Sequence, residues 1–106
     1  AQVIINIEIQ KDEPTQYFLL NRAIFYVSRM VSSQKGRDFV HQNYNDMKRV
    51  FSIWLCMNMP SNSMSYVHLT KEDILEHYNW NGHLDLLNIV LLIALVSDSA
   101  PVSKVF

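Results

Sequence analysis

Glu8 and Gln10 stand two residues apart in the run Ile4-Ile5-Asn6-Ile7-Glu8-Ile9-Gln10, near the start of a 106-residue chain. The run alternates. Val3, Ile5, Ile7 and Ile9 share one face of an extended strand, and Asn6, Glu8 and Gln10 share the other. Its β-branched residues favour that conformation. The pattern predicts a strand whose isoleucine face is buried and sets the register. The opposite face then presents a carboxylate and an amide side by side. Such a pair could serve as a platform for a metal ion; the same pattern also describes an ordinary half-exposed strand.

Other residue types capable of chemistry are poorly arranged for it. His68, His77 and His83 lack the compact spacing of a zinc site, and no cysteine joins them. Ser28, Ser32 and Ser33 have no nucleophile-elbow context. Gly36 and Gly82 are isolated, so there is no glycine-rich phosphate loop. The single Cys56 lies in the apolar run Ile53-Trp54-Leu55-Cys56-Met57 and reads as a buried thiol that cannot form an internal disulfide. Trp54 reads as core, Trp80 as more exposed, and the methionines as packing.

The elements that position Glu8 and Gln10 follow from periodicity. Lys11-Asp12-Glu13-Pro14 ends the first strand, since proline suits a helix start better than a central strand. Thr15 to about Val31 reads as a long helix packed on a sheet through Leu20, Ala23, Ile24, Val27 and Val31, with Tyr17 and Met30 widening the stripe. Ser32-Ser33-Gln34-Lys35-Gly36 closes it, with Gly36 as a candidate stop. Asp38 to Lys48 reads as a loop or short helix containing Phe39 and Tyr44. Val50 to Met57 is a strand of the kind buried on both faces. Pro60-Ser61-Asn62-Ser63 is a turn. Met64 to Leu69 is a short strand, and Thr70-Lys71-Glu72-Asp73 resembles a capped helix start. Asn79 to Gly82 is a further turn. Leu86 to Leu95 fits helix or strand by periodicity, and its β-branched content favours strand. Strand, long helix and buried strand make one βαβ unit with parallel strands. The short segments after residue 60 suit antiparallel additions. The expected fold class is α/β: a mixed sheet with flanking helices.

The ordered set of segments resembles a known family. Ile5-Asn6-Ile7-Glu8-Ile9-Gln10 is similar to the Glu-x-Gln strand of PD-(D/E)XK nucleases, in the transposase-like, recombination-promoting branch found in bacteria. Arg22-Ala23-Ile24-Phe25-Tyr26 resembles the Arg-x-x-x-Tyr of that branch's helix. Gln34-Lys35-Gly36 and Tyr44 resemble its post-helix loop, and Val50-Phe51-Ser52-Ile53 its next buried strand. The likeness covers most of residues 4–57 and weakens afterwards. It implies a restriction-endonuclease-like fold and a DNA endonuclease using Mg²⁺, or Mn²⁺ in its place. It makes Glu8 a catalytic carboxylate and metal ligand, the Ile9 carbonyl a further ligand, and Gln10 the occupant of the parent motif's lysine position. An amide there cannot act as a base; it can orient a water or a phosphate.

One departure stands out. The family places an Asp on the strand preceding Glu8, and none of Ala1 to Ile7 is Asp. Asp12 and Glu13 follow the strand and do not replace it. Residues 1–106 therefore read as a single domain or as a piece of a PD-(D/E)XK domain that begins after the Asp and is inactive alone. A degenerate, non-catalytic domain binding DNA or a protein is the alternative, and a plain α/β scaffold with an interaction surface is a third.

Composition adds weaker constraints. Hydrophobic residues make up 49% of the chain with only 2 Gly and 3 Pro, which predicts a folded domain. The net charge of −1 demands neither nucleic acid nor anionic lipid globally. Of the 9 basic side chains, however, Lys11, Arg22, Arg29, Lys35, Arg37, Lys48 and Arg49 fall within residues 11–49. A basic region around the Glu-x-Gln strand suits a phosphate backbone, with Arg22, Arg29, Lys35 and Arg37 as DNA contacts. Arg22 and Arg29 are seven apart and share a helix face. The plainer reading gives Arg22 a salt bridge and leaves Lys48 and Arg49 solvated. The longest apolar run, Leu86 to Val96, contains Asn88 and is too short to cross a bilayer. The lone cysteine and the lack of a signal-peptide pattern read as cytoplasmic.

Overall fold

The computed structural model describes residues 2–37, 41 and 43–95. Asp38, Phe39 and the Pro101-to-Phe106 tail lie outside the described residues. The elements are β1 (Val3–Gln10), α1 (Leu19–Ser32), β2 (Arg49–Cys56), β3 (Ser63–His68) and β4 (Leu87–Ile93), with a single 3₁₀ turn at Tyr44–Asp46. The fold is α/β. Its mixed sheet has 4 strands in the order β1-β2-β4-β3.

β1 and β2 are parallel, with Glu8 opposite Trp54 and Gln10 opposite Cys56. This is the βαβ unit expected from the alternation of strand, helix and buried strand. β4 departs from expectation: it pairs parallel with β2 and antiparallel with β3. Composition explains the placement. β4 is almost wholly apolar and takes an interior position, whereas β3 carries Ser63, Ser65, Tyr66 and His68 and lies at an edge. The connection that returns the chain from β3 to β4, residues 69–86, is almost entirely exposed and holds no regular element. The helix expected to start at Thr70 does not form. Ile74 and Leu75 are 89% and 87% exposed, so no packing partner stabilises so short a helix.

α1 starts at Leu19 rather than Thr15, with Phe18 at its N-cap and no capping side chain. It packs over β2 and β4. Ala23 and Val27 meet Val50, Trp54 and Ile89 in the core, with Leu19, Met30 and Val31 at its margin. The buried stripe is thus rotated from the expected one: Leu20, Ile24 and Tyr17 are exposed. Gly36 has φ 86° and lies beyond the end of the helix, where the left-handed conformation suits glycine.

The helix also decides which face of β1 turns inward. Register places Ile4, Asn6, Glu8 and Gln10 on the same face as Val50, Ser52, Trp54 and Cys56, the face of the sheet on which α1 packs. Val3, Ile5, Ile7 and Ile9 point the other way, and Ile7 and Ile9 are each 65% exposed. The expectation of a buried isoleucine face is therefore reversed. Alternation identified the two faces, but the packing of α1 chose between them.

Candidate functional site

β1 is an edge strand, and α1 lies over β2 and β4 rather than over it. The helix-side face of β1 is consequently left partly open. Glu8 is exposed there, Gln10 is half-buried beside it, and Asn6 is half-buried two residues before. Asn6 Nδ2 donates to Ser52 Oγ at 3.3 Å and approaches Glu8 Oε1 at 3.5 Å. Ser52 Oγ also accepts from Trp54 Nε1 at 2.8 Å. These bonds fix Ser52 and Trp54 within the core and hold Asn6 over β2, leaving the Glu8 carboxylate open to solvent.

The backbone around Glu8 is oriented by the same pairing. Met57 N–H donates to the Gln10 carbonyl at 2.9 Å, so that carbonyl turns toward β2. Successive carbonyls of a strand alternate in direction, which turns the Ile9 carbonyl to the open edge. Glu8 and the Ile9 carbonyl offer acceptor oxygens at this edge of the sheet.

Above the sheet, the Arg22 guanidinium lies among three aromatic rings. It lies 5.6 Å from the Tyr17 ring centre, 5.3 Å from Tyr26 and 5.5 Å from Trp54. Arg22 Nη1 donates to Tyr17 Oη at 2.6 Å. That hydrogen bond, more than any other influence, holds the guanidinium's pKa above its ordinary value. Trp54 is opposite Glu8 in the register, so Arg22 and Tyr26 sit over the strand neighbouring Glu8. The salt bridge expected of Arg22 is replaced by a cage of aromatic rings. The aromatic positions were visible in the sequence, but Tyr17 reads as part of an apolar stripe until the start of the helix at Leu19 is known.

The remaining basic residues divide. Arg29 lies 5.8 Å from the Phe25 ring centre, on the same exposed side of α1 as Arg22. Lys35 donates to Tyr44 Oη at 3.2 Å. Gln34 ties this region to Lys48, just before β2 begins. Lys35 and Arg37 therefore belong to the end of the sheet where the parallel strands start, whereas Glu8 lies toward their finish. Glu8 and Gln10 share the helix-side face of β1, Arg22 lies over Trp54 on the adjacent strand, and Lys35 and Arg37 lie at the other end of the sheet. Arg49, expected to be solvated in the plainer reading, is instead ion-paired with Asp85.

Among the described residues, no three His, Cys, Asp or Glu side chains gather closely enough to hold a metal ion. Asp12 accepts a hydrogen bond from Asn58 Nδ2 at 3.1 Å and does not join Glu8. Among the described residues, no helix is long and apolar enough to cross a membrane. Comparison with protein-family models, curated proteins and solved structures gave no match.

Proposed function

We propose that this chain carries the Glu-x-Gln strand of a PD-(D/E)XK-type DNA nuclease, of the bacterial transposase-like branch associated with recombination. The observation that carries the reading is the setting of Glu8. An exposed carboxylate stands on an open edge strand, with a neighbouring carbonyl turned to the same edge and a caged arginine over the adjacent strand. The parallel β1-α1-β2 unit agrees with a restriction-endonuclease-like fold.

Mg²⁺ takes near-octahedral oxygen coordination and keeps several waters. One carboxylate and one carbonyl do not complete such a site, so the described residues do not fit the ion by themselves. No hydrolytic step is assigned to them. Glu8 supplies negative charge and two acceptor oxygens, Gln10 supplies an amide that can orient a phosphate or water, and Arg22 and Arg29 supply charge for a phosphate backbone. The pairing of Glu8 with the amide of Asn6 rather than with a second carboxylate favours a second reading, a nuclease-like domain that binds DNA without cutting it.

The test is Mg²⁺- or Mn²⁺-dependent cleavage of plasmid and oligonucleotide DNA by the complete gene product. Glu8→Gln keeps shape and removes charge; it is expected to lower cleavage by about a hundredfold or more, matching the several kcal/mol a metal contributes. Gln10→Ala is expected to cost about tenfold, as an orienting group does. Metal-dependent cleavage that survives Glu8→Gln refutes the assignment. Absence of cleavage across several DNA substrates by a folded protein supports the non-catalytic reading.

A further inference from the structure

The exposed side of α1 is unusual for a solvent face. Phe18 is 77% exposed and Phe25 59%, and Tyr17 and Tyr26 are also exposed. Phe18, Arg22, Phe25 and Arg29 follow one another at intervals of four, three and four residues, so rings and guanidinium groups alternate along a single stripe. Two concavities adjoin at Tyr26. One, of about 820 Å³, includes Tyr17, Phe18, Arg22 and Phe25 in its lining; the other, of about 270 Å³, includes Arg29. Among the described residues, no carboxylate lines either one.

We infer that this groove binds unpaired nucleic-acid bases, with Phe18, Phe25 and Tyr26 as stacking surfaces and Arg22 and Arg29 as partners for the phosphates between them. The inference deepens the DNA-binding part of the proposed function and rests on it: the strand engaged is single or frayed rather than intact duplex. Three observations argue for this ligand. Exposed aromatic rings offer stacking surfaces that every base can use. Cations interleaved with those rings, without an acid among the described lining residues, are complementary to a polyanion. The seven-residue interval sets Arg22 and Arg29 about 10 Å apart along the helix axis. Arg22 is already held in place by Tyr17 and the Trp54 ring, so little order must be gained on binding.

The test uses the full chain and fluorescence anisotropy with three labelled probes of about ten nucleotides: oligothymidylate, an abasic strand of equal charge, and a duplex. Oligothymidylate is expected to bind more tightly than either of the others. Phe25→Ala is expected to weaken that binding about 5- to 150-fold, the range for one lost base stack, while leaving the abasic strand unaffected. Arg29→Ala is expected to weaken both single strands and to reduce the slope of log K against log salt by about 0.7. If Phe25→Ala lowers thermal stability, Phe18→Ala, outside the helix proper, provides the same readout. Equal affinity for oligothymidylate and the abasic strand, tighter binding of duplex, or displacement by polyglutamate of equal charge overturns the inference. The cleavage assay on Glu8→Gln is independent of these readings. Base-dependent binding without cleavage removes the nuclease proposal alone, and cleavage with base-independent binding removes the stacking groove alone.

Discussion

Replacing Gln34 by alanine should be among the most damaging changes outside the apolar core. Gln34 is 0% exposed, yet it is polar and belongs to no strand or helix. Its Nε2 donates to the Lys48 carbonyl at 3.1 Å, and its Oε1 accepts from the Lys48 N–H at 2.7 Å. The side chain thereby bonds both the N–H and the carbonyl of a backbone position that has not yet entered β2. In Gln34→Ala two partly buried backbone groups lose these bonds, each loss costing about 1–3 kcal/mol. A water entering the vacated space recovers part of this. The expected net loss is about 2–4 kcal/mol, a large share of the roughly 5–15 kcal/mol that stabilises a domain. Tm should fall by about 10 °C or more. Urea unfolding followed by the fluorescence of buried Trp54 and by far-ultraviolet circular dichroism measures the loss, with the m-value unchanged. Gln34→Glu should be no better at neutral pH, because it faces the Lys48 carbonyl with an acceptor. A loss below about 1 kcal/mol for Gln34→Ala, or wild-type stability for Gln34→Glu, refutes the argument that this side chain secures the return from α1 to β2.

Two further predictions concern titratable groups. Cys56 is 1% exposed, and burial, helped by the charges of Glu13 and Asp12, raises its thiol pKa. It should therefore react with iodoacetamide at pH 8 far more slowly in the native chain than in urea; equal rates would contradict its burial. Its native contribution to stability is present below the ordinary thiol range and is lost as pH rises through the elevated folded value. Asp85 has the opposite sign. Its ion pair with Arg49 lowers the carboxyl pKa, so the benefit is present above the ordinary Asp value of about 4 and is lost as pH falls through the depressed folded value. Asp85→Asn should remove this part of the acid dependence of the urea midpoint; an unchanged acid limb would show that the pair is energetically silent.

The sequence determined the local periodicities and therefore the parallel βαβ unit, the bounds of β1 and the burial of Trp54 and Cys56. Those features depend on side-chain alternation, helical spacing and apolar content within a short window. It also placed Glu8 and Gln10 on one face, because strand geometry leaves no other arrangement. Only the tertiary structure decided which face that was. Either face of β1 could have been covered, and α1 chose the one containing Glu8 because its Ala23-Val27 stripe packs over β2 and β4. The same packing left β1 beyond the helix and Glu8 in solvent. The insertion of β4 between β2 and β3 was likewise beyond local reading, since strand order depends on competition for interior positions among distant segments. Arg22 carries the same lesson at the scale of one side chain. Its charge was evident from the sequence, but its cage joins Tyr17 before α1, Tyr26 within it and Trp54 on another strand. Separations of that kind along the chain become contacts only when the helix is laid across the sheet.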